Sequence, residues 1–159
     1  MNHKEITDIL RMSDLFCELS DNELQSIAEL CQIEEFEAGD IIYRQGSVGT
    51  KLYILAKGRV ILEREIDLGG TRKAKLNVFS LMERTNRRVM GSWYTLIGEQ
   101  HVHMCSAICE KPTKMVSVGC FNLRSAMVQD STIRIKILEQ LVLLLRDRIL
   151  SSYEAIDTL

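Results

Sequence analysis

Two neighbouring stretches carry most of the structural information: Phe36-Glu-Ala-Gly-Asp-Ile-Ile-Tyr-Arg-Gln-Gly46 and Lys51-Leu-Tyr-Ile-Leu-Ala-Lys-Gly-Arg-Val60. In both, short runs rich in β-branched and aromatic residues end at glycine-bearing turns. The same alternation continues further along the chain, where Gly69-Gly70 supplies the positive φ angles that a tight hairpin needs. Short strands with turn signals at close intervals predict a β-barrel or sandwich over residues 33–118.

Helical signals lie on both sides of this β-rich region. Ser20-Asp-Asn-Glu23 has the form of a capping box, and the apolar residues after it recur at helical spacing, which predicts a helix over 21–31. Helical periodicity returns with a short helix over 121–128 and a long one over 132–156. The predicted architecture is mainly β with flanking helices in a single domain, 1–159: N-terminal helices over 10–31, strands over 33–118 and C-terminal helices over 120–156.

The long helix carries two apolar stripes. One repeats at alternating spacings of three and four and forms a heptad seam: Ile135, Leu138, Val142, Leu145, Ile149, Ser152 and Ile156. The second consists of Ile137, Leu141 and Leu144. One stripe can pack on the chain's own strands and the other then needs a partner, so the seam predicts a homodimer. The alternative is a single broad stripe that is buried within one chain.

Composition limits the function classes. The chain has 159 residues, 46% hydrophobic and 26% charged, with a net charge of −2, so bulk electrostatics give no reason to expect a nucleic-acid or membrane partner. Its five cysteines are scattered without a C-x-x-C pair, which argues against a zinc finger and fits a reducing cytoplasm. We find no Gly-rich phosphate loop, nucleophile elbow or H-E-x-x-H motif, so we expect no enzyme.

The two quoted stretches resemble the cyclic-nucleotide-binding domains of catabolite-activator-type (Crp-Fnr) regulators, kinase regulatory subunits and gated channels. Gly39, Gly46 and Gly58 stand where this family places turn glycines, and Leu10–Leu19 resembles its lead-in helix. The resemblance implies an eight-stranded β-roll, also called a jelly roll or double-stranded β-helix, with short N-terminal helices and a long C-terminal helix. It also implies a cytoplasmic regulatory sensor.

A phosphate-binding cassette is part of what the resemblance implies; in the family it reads approximately F-G-E-x-A-L-L…P-R-S-A-x-V. Its glycine and nearby N–H groups hold the phosphate, its glutamate accepts from the ribose hydroxyl, and its arginine pairs with the phosphate. The matching segment here runs over residues 90–107. Gly91 keeps the glycine, whereas Ser92 replaces the glutamate, Gln100 the proline, His101 the arginine and Val102 the small residue.

These replacements predict weak or absent binding of ordinary cyclic AMP and cyclic GMP. Losing the arginine removes charge-assisted hydrogen bonds worth roughly 1.5–3 kcal/mol, and a mostly neutral His101 is a poor substitute. Two functions stay open. The first is a sensor for another small anionic ligand, for example as the sensor half of a longer Crp-Fnr-type regulator. The second is a ligand-free pseudo-sensor that serves as a dimerisation or interaction module.

The candidate ligand-binding residues are Gly91, Ser92, Trp93, Tyr94, His101 and Val102. Trp93 and Tyr94 either stack on a flat ligand or fill the space of the nucleotide. His101, His103 and Cys105 alternate and would share one face of a strand, but no fourth ligand can be named, so no metal or haem is assigned. Regulators of this family continue into a helix-turn-helix domain, and because this sequence ends at Leu159 we expect no DNA binding from it.

Overall fold

The computed structural model describes residues 2–159. Within this range, ten strand segments follow one another: β1 (Cys31–Phe36), β2 (Ile41–Tyr43), β3 (Val48–Gly49), β4 (Lys51–Lys57), β5 (Arg59–Gly69), β6 (Arg72–Met82), β7 (Val89–Gly91), β8 (His101–Val102), β9 (Ser106–Cys109) and β10 (Thr113–Gly119). Eight of them form two antiparallel four-stranded sheets, in the orders β1-β10-β4-β7 and β2-β9-β5-β6, and the two-residue segments β3 and β8 pair with each other. The predicted eight-stranded β-roll is confirmed.

The helical segments are α1 (His3–Arg11), α2 (Asp21–Ala28), a 3-10 helix (Trp93–Ile97), α3 (Cys120–Gln129) and α4 (Ser131–Ile156). The predicted capping box is present, since the Ser20 backbone N–H donates to the Glu23 carboxylate at 2.8 Å and the Glu23 N–H donates to Ser20 Oγ. The predicted hairpin is also present, with φ angles of 95° at Gly69 and 62° at Gly70.

Leu10–Leu19 is not a helix, and the prediction of a lead-in helix there is wrong. The helix begins at His3 and ends at Arg11, and turns follow it. The reason lies at Ser13, whose buried hydroxyl donates to Leu10 O at 2.7 Å and accepts from Phe16 N at 3.3 Å. Such side-chain bonds to the backbone compete with helix continuation.

The apolar core is divided into two clusters. The larger lies between the helices and one sheet, and includes Ile6, Leu24, Ile54 and Ile137. The smaller lies between the two sheets and includes Leu62, Phe79, Met90 and Met115. The segment that matches the cassette follows β7, which contributes Val89 to the first cluster and Met90 to the second.

The long helix α4 divides its two apolar stripes as predicted from the sequence. Ile137, Leu141 and Leu144 are buried, and Leu138 and Leu145 pack at the edge of the larger cluster. Four seam residues are instead 52–67% exposed: Ile135, Val142, Ile149 and Ile156. One stripe is therefore covered by the chain itself, and much of the other is not. None of the helices within residues 2–159 is long and apolar enough to cross a membrane.

Candidate ligand-binding site

The backbone of the cassette segment depends on glycine at its start. Gly91 ends β7 opposite Leu52 of β4 and has a φ of 124°. A Cβ at this position would overlap Lys51 O and would lie 3.1 Å from Leu52 Cα. Only glycine fits both the angle and the close approach of β4. The 3-10 helix (Trp93–Ile97) then follows, and Gly98, with a φ of 86°, caps its C-terminus.

Ser92 is fully buried beneath the β3–β8 pair. Its backbone N–H donates to Lys51 O at 2.9 Å, but its Oγ has no hydrogen-bond partner within residues 2–159. A Cβ on Gly49 of β3 would overlap both Ser92 Oγ and His103 Nε2. Gly49 therefore allows β3 to lie directly against these two side chains. A serine here is too short to reproduce the reach of the glutamate that the family resemblance places at this position.

His101 and His103 are both buried, but they do not share a strand. The predicted alternation through Cys105 is wrong, because β8 ends at Val102 and the chain bends at Met104. Contacts from other segments hold the bend: Gly46 N donates to His103 O at 2.8 Å, and Arg64 Nη1 donates to Met104 O at 2.6 Å. The two imidazole rings nevertheless lie close, with centroids 5.1 Å apart.

Aromatic rings form a continuous row around these histidines. Tyr43 of β2 stacks on His103 with ring centroids 3.6 Å apart and planes inclined by 12°. On the other side, the His101 ring lies 4.8 Å from Tyr94 and 6.0 Å, edge-on, from Trp93. Trp93 also packs against the larger core cluster. The row fills space between the cassette segment and β2 with the chain's own side chains.

Burial keeps both imidazoles neutral. It lowers the pKa of His101 below its usual 6.5. It lowers the pKa of His103 to about 4, with a further contribution from His101 beside it. A neutral imidazole ring can donate one hydrogen bond and accept another, but it supplies no positive charge. Neither histidine therefore replaces the charge of a cassette arginine at neutral pH.

A positive charge does enter this region, from α4. Arg148 is only 9% exposed, and its guanidinium carbon lies 3.5 Å from the ring centroid of Phe79 and 5.8 Å from that of Trp93. Its Nη2 donates to Val89 O, whereas Nε and Nη1 have no partner within the described part of the chain. Burial lowers the pKa of Arg148 to about 10, which still leaves it protonated at neutral pH.

No protein-family model matches the chain. The cGMP-dependent protein kinase 2 of Mus musculus is 35% identical over 57 residues, which are 36% of this chain but only 8% of the kinase. A cyclic nucleotide-binding domain from Methylobacillus flagellatus KT superimposes with a TM-score of 0.75 at 18% identity, over 96% of this chain and 80% of that one.

The chain has the fold of cyclic-nucleotide-binding domains. The same fold relates it to the regulatory subunit of a cAMP-independent protein kinase A from Trypanosoma brucei, with a TM-score of 0.63 and 20% identity over 84% of this chain and 46% of that subunit. The resemblance that was drawn from residues 36–60 is thus confirmed at the level of the fold.

Within this cyclic-nucleotide-binding fold, five of the six candidate residues lie together. Gly91, Ser92, Trp93, Tyr94 and His101 belong to one segment, and ring contacts join Trp93 and Tyr94 to His101. Val102 is the exception, since it pairs with Val48 of β3 and takes no part in the aromatic row. Sequence reasoning missed four contributors from distant segments: Tyr43, Gly49, Phe79 and Arg148. The local sequence does not predict the burial of Arg148, because it resembles the other charged residues of this long helix.

The fold offers a small cavity beside the row rather than a site for a metal. A cavity of about 210 Å³ is lined by Tyr43, Gly49, Tyr53 and His103, among others. No group of three or more His, Cys, Asp or Glu side chains is placed to hold a metal ion among residues 2–159. The histidines and Cys105 therefore do not form a ligand set on the described geometry.

Proposed function

We propose that the chain is a non-enzymatic regulatory sensor module of the cyclic-nucleotide-binding type. In this proposal it binds ordinary cyclic AMP and cyclic GMP weakly or not at all, and it pairs with a second copy through α4. The fold comparisons support the regulatory role, since the neighbours are named as nucleotide-binding or regulatory domains.

The chemistry of the cassette segment carries the proposal. The backbone features that favour an anion remain, namely Gly91 and the helical turn after it. The two side chains that would fix a cyclic nucleotide do not, because Ser92 is short and buried and His101 is neutral. The loss of both contacts corresponds to a few orders of magnitude in affinity, at roughly 1.5–3 kcal/mol each.

A second candidate is the pseudo-sensor, in which the fold is kept and no ligand binds. The aromatic row favours it, since Tyr43, His103 and Tyr94 occupy space next to the cassette segment. The likeness to a regulatory subunit described as cAMP-independent is consistent with it. The two candidates make different predictions once the missing charge is restored.

The test measures the melting temperature of the purified chain with excess cyclic AMP and, separately, cyclic GMP. A ligand at about 100 times its dissociation constant adds roughly 2.7 kcal/mol of stability, which raises the melting temperature of a domain of this size by roughly 5–10 °C. We expect a far smaller shift with either nucleotide. A full shift would contradict the proposal of weak binding.

Restoring the arginine makes the test sharper. We expect His101→Arg to gain at least about tenfold in affinity for cyclic AMP if the cassette backbone is still competent. The matched control is His3→Arg, which adds the same charge at an exposed position of α1 and should gain nothing. If His101→Arg folds and still binds neither nucleotide, the pseudo-sensor replaces the sensor as the preferred function.

A further inference from the structure

We propose that Arg148 makes the interior of the β-roll a receptor for a small oxyanion, a carboxylate or phosphate group, held by a guanidinium from α4 instead of by a cassette arginine. The proposal rests on the sensor function proposed above and names the chemical class of its ligand. It differs from the family pattern, because the charge comes from the C-terminal helix and not from the segment around Gly91.

Most of the buried polar atoms without a hydrogen-bond partner lie near Trp93. Within residues 2–159, five buried side-chain nitrogen or oxygen atoms have no hydrogen-bond partner: Ser92 Oγ, His101 Nδ1, Ser117 Oγ, Arg148 Nε and Arg148 Nη1. Four of these five belong to three residues that lie next to Trp93, either in space or in the chain. The Arg148 guanidinium and the His101 ring lie 5.8 Å and 6.0 Å from the Trp93 ring, and Ser92 precedes Trp93 in the chain.

The charge of the Arg148 guanidinium is buried. A guanidinium that is nine-tenths buried is costly unless an acceptor or a counter-charge accompanies it. Arg148 forms no salt bridge with any of the described acidic side chains. Asp14 lies near enough for its charge to act on the Arg148 pKa, and burial raises the pKa of the Asp14 carboxyl, but the two side chains form no salt bridge.

The atoms without a hydrogen-bond partner near Trp93 can act as hydrogen-bond donors. Arg148 offers N–H donors only, Ser92 offers a hydroxyl, and a neutral His101 can place its proton on Nδ1. A set of donors around one cation matches an oxyanion and repels a metal ion. The Phe79 and Trp93 rings next to the guanidinium are apolar and suit a carboxylate or phosphate that is attached to a small organic group. A compact inorganic ion is the other ligand of this class. Because Arg148 belongs to α4, an oxyanion bound there would contact the helix that carries the seam.

The experiment measures binding of sodium benzoate and inorganic phosphate to the full chain by calorimetry and thermal shift, at constant ionic strength. Benzamide serves as the neutral analogue of benzoate, so the difference between the two reports the charge. We expect the wild type to bind at least one of the two anions and not benzamide. Preference for benzoate would assign a carboxylate ligand, and preference for phosphate a phosphorylated one.

Arg148→Met removes the charge, and we expect it to lose about 10–100-fold in affinity for the bound anion. Arg146→Met is the matched control, since Arg146 lies on the same helix with its side chain 63% exposed, and it should bind as the wild type does. Ser92→Ala keeps the guanidinium and removes one donor, so a several-fold loss is expected even if Arg148→Met does not fold.

The inference is overturned if neither benzoate nor phosphate binds the wild type. It is also overturned if Arg148→Met and Arg146→Met bind the anion equally well, which would indicate general ionic effects. The outcome is separable from that of the cyclic nucleotide test. Full binding of cyclic AMP would remove the proposed function, whereas the benzoate and phosphate results would still decide the role of Arg148.

Discussion

Two buried side chains near Trp93, His101 and Arg148, differ in charge. His101 is buried and neutral, while Arg148 reaches into the same region from α4 and stays protonated. The cation rests on the Phe79 ring at 3.5 Å, an arrangement that offsets part of its desolvation. Its Nε and Nη1 donors have no partner within residues 2–159, and the proposed oxyanion site rests on them.

Gly49 controls how closely β3 approaches the cassette segment. We expect Gly49→Ala to lower the free energy of unfolding by roughly 1–3 kcal/mol, as overpacking of a buried contact does, because its Cβ would overlap Ser92 Oγ and His103 Nε2. Urea denaturation followed by circular dichroism measures the change. Gly119→Ala is the control, since its nearest neighbour would be Asn122 Nδ2 at 3.7 Å. Equal effects of the two substitutions would show that the contact at Gly49 is unimportant.

Helix α4 serves two surfaces at once. Asp130 begins it by accepting from the backbone N–H groups of Thr132 and Ile133 at 3.0 and 3.2 Å, which satisfies donors that the first turn leaves free. Ile137 and Leu141 then fix one face to the core, whereas four residues of the seam are exposed: Ile135, Val142, Ile149 and Ile156. A second copy of the chain is the partner that a heptad seam favours.

Ile149→Glu tests the seam. We expect this change to convert a dimer to a monomer in light scattering at micromolar concentration, because it places a charge at the centre of an apolar interface. Leu143→Glu is the matched control: it makes the same change on the same helix at an exposed position outside the seam, 44% exposed against 54% for Ile149. A monomeric wild type, or equal dissociation by both variants, would contradict the dimer.

For the molecule as a whole, the buried histidines make stability depend on pH. The folded pKa of His103 is about 4 and its ordinary value is 6.5, so the unfolded chain binds more protons between these values. The contribution of His103 to the free energy of unfolding is therefore fully present above about pH 6.5 and is lost as the pH falls towards about 4. His101 contributes in the same direction, and the pKa of Tyr43, stacked on His103, is raised by burial, so Tyr43 does not titrate in this window.

Replacing His103 by phenylalanine keeps the stacking on Tyr43 and removes the proton site. Between neutral pH and pH 4, we expect the free energy of unfolding to fall by about 3 kcal/mol less for His103→Phe than for the wild type. Urea denaturation at several pH values gives the two slopes. His3→Phe, on the exposed start of α1, should keep the wild-type slope. Identical slopes for His103→Phe and the wild type would show that His103 is not protonated on unfolding.

Local patterns in the sequence were enough to predict a β-barrel or sandwich, the capping box at Ser20 and the two stripes of α4, because turn glycines, caps and apolar periodicity act between residues that are near in sequence. The family resemblance then specified the β-roll. The same patterns failed at Leu10–Leu19, where the Ser13 hydroxyl ends the helix, and at His101–Cys105, where contacts from Gly46 and Arg64 bend the chain.

The candidate site was predicted only in part. The resemblance identified the segment at Gly91 and the replacements at Ser92 and His101, but not the side chains that meet them. Gly49 against His103, and Arg148 between Phe79 and Trp93, join parts of the chain that are 54 or more residues apart. Only tertiary packing brings such residues into contact, and only burial then sets their charge, because desolvation depends on everything that surrounds a group and not on its neighbours in sequence.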